Sequence, residues 1–126
     1  MRILIVEDSP LLRKMFGLAF SSREHYLRPT ENGRAALAVL LTEPEPYDVI
    51  LLDLRMPDIN GVEFIRAVRG RPLYCHAPIV LTTAEPDDSE LLHQAKALGV
   101  AAIVRKPWTP HGLRAVVQNV LNPTVR

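Results

Sequence analysis

Three carboxylates, a threonine pair and one lysine stand at the ends of apolar runs, a set able to handle a divalent cation and a phosphoryl group. The run 3–6 ends in Glu7 and Asp8, and the run 49–52 ends in Asp53. The run 79–81 ends in Thr82 and Thr83, and 101–104 ends in Arg105, Lys106 and Pro107. Short, near-continuous apolar runs read as parallel strands buried on both faces. In an open α/β sheet the ligand site lies beyond the carboxyl ends of the strands, so these polar groups should gather at one edge. Acids there can hold a hard cation, and an ammonium can offset the charge of a transferring phosphoryl group.

The elements that must position them alternate five times. A first strand is expected over 2–6, then a helix opened by Ser9 as N-cap and Pro10, with Leu11, Leu12, Met15, Phe16 and Ala19 as its apolar stripe. A short edge strand follows at 26–29, where Pro29 suits an edge. Glu31-Asn32-Gly33 turns into a second helix through Ala36, Leu37, Leu40 and Leu41, which Pro44 and Pro46 break. After Asp53, the turn-rich stretch 55–61 leads into a third helix over 61–68, and 71–78 connects to the fourth strand. Asp87 or Asp88 should cap the fourth helix, which carries Leu91, Leu92, Ala95 and Leu98 and ends at Gly99. The last strand is expected over 101–105, and Thr109-Pro110 starts a final helix through Leu113, Val116, Val117 and Val120. This is a (βα)5 chain, α/β in class. Right-handed crossovers force its helices onto both faces of a doubly wound, five-stranded parallel sheet.

Composition narrows the function classes. At 126 residues one domain over 1–126 is expected. A net charge of +1 with dispersed arginines argues against direct nucleic-acid binding. Apolar runs too short for a membrane span and the lack of a leader pattern read as cytoplasmic. Cys75, beside His76 but without an oxyanion motif, reads as an incidental thiol. His25, His76, His93 and His111 lack metal-ligand spacing.

Taken in order, Glu7-Asp8, Asp53, Met56-Pro57-Asp58-Ile59-Asn60-Gly61, Thr83-Ala84 and Lys106-Pro107 resemble the receiver domain of two-component response regulators over essentially the whole chain. The resemblance implies a flavodoxin-like fold with strand order 2-1-3-4-5. It implies Asp53 as phosphoacceptor for a histidine kinase or a histidine phosphotransfer protein. It implies Mg2+ held by Glu7, Asp8, Asp53 and the backbone carbonyl of Arg55, with Lys106 and Thr83 meeting the phosphoryl oxygens. Thr82 competes with Thr83; strand alternation and the following Ala84 favour Thr83. A downstream partner is expected on helix four, strand five and helix five, with His93, Lys96, Ile103 and Arg105 on that surface, and a phosphorylation-dependent dimer is a candidate assembly.

The chain departs from the family at Ile103, where an aromatic toggle often stands three residues before the lysine, and at Trp108, where phenylalanine is frequent. Trp108 reads as a hydrophobic lid for the last helix. Arg55 and Glu85 occupy positions on which phosphoryl lifetime depends in such proteins. Competing functions fare worse. A metal-dependent phosphatase would need an acid at Arg55, and a flavin carrier would need an uncharged phosphate cradle where Glu7 and Asp8 stand. A receiver-like module that is never phosphorylated would lack one of the acids or the lysine. A stand-alone regulator or relay protein, and a receiver cut from a longer chain with an enzymatic or DNA-binding output, are both consistent with the sequence.

Overall fold

The order of the strands follows from which runs are apolar on both faces. In the computed structural model, which describes residues 1–123, β1 (Arg2–Val6), β3 (Val49–Leu52) and β4 (Ile79–Thr83) form the interior of the sheet, and β2 (Tyr26–Thr30) and β5 (Ala102–Arg105) form its edges. The order is β2-β1-β3-β4-β5, with every pairing parallel. The expected fold class and strand order are thus met. The last three residues of the expected 1–126 domain lie outside the described residues.

Period-two alternation divides the core between the two faces. Ile3 and Ile5 meet Phe16 of α1 (Pro10–Ala19) and Leu113 and Val117 of α5 (Pro110–Leu121). Leu4 and Val6 share the other core with Ala36 of α2 (Gly33–Thr42), Phe64 of α3 (Gly61–Arg69) and Leu92 of α4 (Glu90–Ala97). Among the described residues no helix is long and apolar enough to cross a membrane.

Short polar residues start each helix by accepting an orphan N–H. Ser9 accepts from Leu12, Asn32 from Ala35, Asn60 from Glu63 and Thr109 from Gly112. The fourth helix departs from expectation. Its N-cap is Ser89, which accepts from Leu92 at 3.2 Å, and not Asp87 or Asp88. Asp87 is engaged elsewhere, with its carboxylate on Arg105 and its carbonyl 3.0 Å from His93 Nε2. The last strand begins at Ala102, one residue later than expected, although the Ala101 N–H still donates to the Ile79 carbonyl at 2.8 Å. A short 3-10 turn, Pro72–Tyr74, lies in the connector before β4.

The loop after β3 is fixed at both ends. The Asp58 carboxylate accepts from Gly33 N (3.1 Å) and Arg34 N (2.8 Å) at the start of α2. Although burial pushes its carboxyl up, N–H groups of Arg34, Ile59 and Gly33 hold it below the usual range. At Gly61 a Cβ would lie 2.8 Å from the Leu54 Cα, a backbone atom that cannot yield. We expect Gly61→Ala to lower urea-measured stability by about 1–3 kcal/mol, the usual cost of overpacking. Gly17→Ala, in the middle of α1 with nothing within 4 Å of the new Cβ, should raise it by roughly 0.5–1 kcal/mol.

Candidate metal and phosphoryl site

Strand register brings the acids together. Val6 pairs with Leu52, and the ladder runs one step further, with Asp53 N donating to Val6 O (3.1 Å) and Glu7 N to Thr30 O (3.0 Å). Glu7 and Asp53 therefore leave adjacent strands side by side. Carboxylate oxygens of Glu7, Asp8 and Asp53 all lie within 4.8 Å of one another. Glu7 is 1% and Asp53 6% exposed, whereas Asp8 faces solvent. None of the four histidines belongs to this cluster.

Lys106 enters from the end of β5, where its N–H donates to the Thr83 carbonyl at 2.9 Å. Its Nζ donates to Asp53 Oδ2 and stands 3.1 Å from it, and is also 3.1 Å from Glu7 Oε1. The ammonium therefore bridges the two buried carboxylates, and it is the one cationic partner the structure gives Glu7 Oε1 among the described residues. Burial pushes the Glu7 carboxyl above its usual range. Lys106 opposes that shift, and the Asp53 charge adds to it. Burial works against the Lys106 ammonium too, but Asp53 and Glu7 hold it above its ordinary value. One ammonium thus faces three acids. A cluster of carboxylate oxygens within 4.8 Å of one another, with more acids than ammonium groups, fits a hard divalent cation.

A pocket opens directly onto Asp53, lined by Arg55, Thr83, Ala84, Glu85 and Lys106. Thr83 lines it and Thr82 does not, and both are fully buried. Thr83 Oγ1 accepts from Glu85 N at 2.9 Å, whereas Thr82 Oγ1 has no partner. Arg55 lies in the same loop as Asp53, and its N–H donates to Asp53 Oδ1 at 3.2 Å. Its guanidinium turns away to pair with Glu85. Trp108 packs on Phe16 with ring centroids 4.7 Å apart, in the core beneath α1 and α5, as a lid for the last helix should. Ile103 packs against the core on the opposite face.

Some contacts at this edge have no signal in the sequence. Arg13 Nη1 donates to the Glu7 carbonyl at 2.8 Å, tying α1 to the turn that carries the acids. Arg105 grips the Glu85 carbonyl and the Asp87 carboxylate. The sequence places Arg105 on the expected partner surface and Arg13 among the dispersed arginines, with no partner indicated for either. Only the tertiary approach of a second element gives either one a partner.

The family model described as "Response regulator receiver domain" matches residues 3–118. A chemotaxis protein CheY homolog of Campylobacter jejuni is 33% identical over 122 residues, covering 96% of this chain and 92% of that protein. Regulatory protein AtoC of Escherichia coli is 33% identical over 120 residues, which is 95% of this chain but 25% of that protein. The crystal structure of chemotaxis response regulator CheY4 of Vibrio cholerae superposes with a TM-score of 0.84 at 32% identity, covering 95% of this chain and 98% of that one.

The raised Glu7 carboxyl sets a pH dependence. The folded state holds the Glu7 proton to higher pH than the unfolded chain does. Its contribution is therefore complete below the ordinary glutamate range and is lost as pH rises through the raised value. In metal-free buffer, Glu7→Gln should gain stability over wild type as pH rises across that window. Urea titrations of both proteins from pH 4.5 to 8 check this; a constant difference would contradict it.

Proposed function

The chain belongs to the response regulator receiver family, and on that footing we propose that Asp53 is its phosphoacceptor, with Glu7, Asp8 and the Arg55 carbonyl completing a Mg2+ site. Receivers of this CheY type are phosphorylation-controlled signalling domains that work with histidine kinases or phosphotransfer proteins and with downstream targets. The observation that carries the residue assignment is Lys106 Nζ, 3.1 Å from Asp53 Oδ2 at the mouth of an open pocket.

In the proposed reaction an Asp53 carboxylate oxygen attacks phosphorus of a phosphohistidine or a small acyl phosphate. The P–N or P–O bond to the donor breaks, its electron pair leaves with the donor, and an aspartyl phosphate forms. When bound, Mg2+ supplies positive charge that lets an anionic donor approach the acid cluster. Lys106 stays protonated, because its neighbours raise its pKa, and so remains able to neutralise a phosphoryl oxygen. The Thr83 hydroxyl supplies a hydrogen-bond donor from the pocket wall. The Arg55–Glu85 pair borders the same pocket and so bears on water access to the phosphoryl group.

The proposed output surface is α4, β5 and α5. His93, Lys96 and Arg105 are exposed on it and Ile103 is half-buried, and a downstream protein or a second phosphorylated copy are its candidate occupants. The relatives include proteins of similar size and much longer ones, so residues 1–126 are proposed as a receiver without commitment to an output domain.

Intact mass after incubation with acetyl phosphate tests the assignment. One added phosphoryl group should appear on wild type only with Mg2+, and not on Asp53→Asn. Equal uptake by Asp53→Asn would sink the acceptor assignment. Lys106→Ala should keep its fold while losing most uptake or the conformational response to it.

A further inference from the structure

Glu85 is held at three points by three different parts of the chain. Its N–H donates to Thr83 Oγ1 at 2.9 Å, its carboxylate pairs with Arg55 Nε, and its carbonyl accepts from Arg105 Nη1. The same guanidinium places Nη2 on the Asp87 carboxylate. The Asp87 carbonyl in turn lies 3.0 Å from His93 Nε2 in the first turns of α4. Arg105 is the register partner of Thr83 across the β4–β5 pair, so its side chain starts level with the pocket threonine. A planar fork reaching a carbonyl and a carboxylate together fixes both, which a lysine ammonium on a flexible stem does less well. Ile103, by contrast, makes only apolar contacts with the core.

We propose that Arg105 is a positioning residue coupling the pocket to the start of α4: through Glu85 it sets the Thr83 hydroxyl, and through Asp87 it holds the turn before the helix. The inference rests on Thr83 serving the phosphoryl group as described above. Thr83 Oγ1 accepts the Glu85 N–H, so its own hydrogen remains to be donated to a phosphoryl oxygen. Movement of Thr83 toward that oxygen draws the Glu85 peptide with it. The Glu85 carbonyl then leaves the guanidinium fork, and Asp87 loses its partner. A polar chain thereby carries the pocket's state to the α4–β5 surface, a task for which Ile103 has neither ring nor hydroxyl.

Backbone amide NMR on wild type, Arg105→Gln and Arg105→Lys, with and without acetyl phosphate and Mg2+, tests the coupling, with uptake followed by intact mass. In the resting proteins the Glu85 amide should exchange about fivefold faster in Arg105→Gln, the scale of losing one exposed charged clamp, with Arg105→Lys in between. Amides of β3 should not change, which separates the clamp from general loosening. After uptake, wild type should shift resonances of residues 87–93, and Arg105→Gln should retain about half of that response or less. Equal Glu85 exchange in all three resting proteins, or a full-sized α4 response in Arg105→Gln, would overturn the proposal. Absence of any mass gain in wild type would instead overturn the phosphoacceptor reading, and the resting Glu85 comparison would still decide the clamp.

Discussion

Repulsion among three carboxylates at one sheet edge is the constraint on which this molecule turns. The carboxylate oxygens lie within 4.8 Å of one another, and the repulsion falls mainly on the buried Glu7–Asp53 pair, because water screens the exposed Asp8. Burial makes it worse, because Glu7 has lost nearly all contact with water. The sheet nevertheless leaves the acids no other place to go. Parallel β1 and β3 end in register, and the apolar runs that lead into Glu7 and Asp53, residues 3–6 and 49–52, are locked into the core. Lys106, delivered by the far strand, offsets one charge, and the remaining negative balance calls for a cation. Folding energy from the strands thus holds together a site that would otherwise fly apart.

Most of this was legible in sequence because it depends on local pattern. Runs such as 49–52 are apolar without alternation, which parallel burial demands, and each ends at a polar residue of the cluster at the sheet edge. Ser9, Asn32, Asn60 and Thr109 lie directly before helical stripes and cap them. The fourth helix shows where local pattern fails. Asp87, Asp88 and Ser89 are all good caps, and the choice fell to Ser89 because Arg105, 18 residues downstream of Asp87, engages the aspartate first. The role of Asp58 was hidden for the same reason. Its loop position was readable, but its hold on the start of α2 requires two distant segments to meet.

The two faces of the sheet do different work. On one, Trp108, two residues after Lys106, and Phe16 close an apolar core under α1 and α5. Immobilising Trp108 steadies the chain that carries Lys106, and so helps keep the ammonium at bonding distance from Asp53. On the other face, the β4–α4 loop is tied by ion pairs to exposed guanidiniums, and the Arg105–Asp87 pair, exposed on both sides, is of the individually weak kind. Strong apolar packing beneath Asp53 and weak polar ties beside it suit a protein whose proposed site must stay fixed while one adjoining loop moves.

The central claim, that the acid cluster is a cation site completed by folding, is tested most directly by thermal unfolding against Mg2+ concentration for wild type and Asp8→Asn. Asp8 is exposed and makes no core contact, so its replacement should leave the metal-free midpoint nearly unchanged. Wild type should gain stability with Mg2+, by about 2.7 kcal/mol at a hundred times the dissociation constant, and the Asp8→Asn curve should be displaced to markedly higher Mg2+. No Mg2+ dependence in wild type, or identical dependence in the two proteins, would contradict the account.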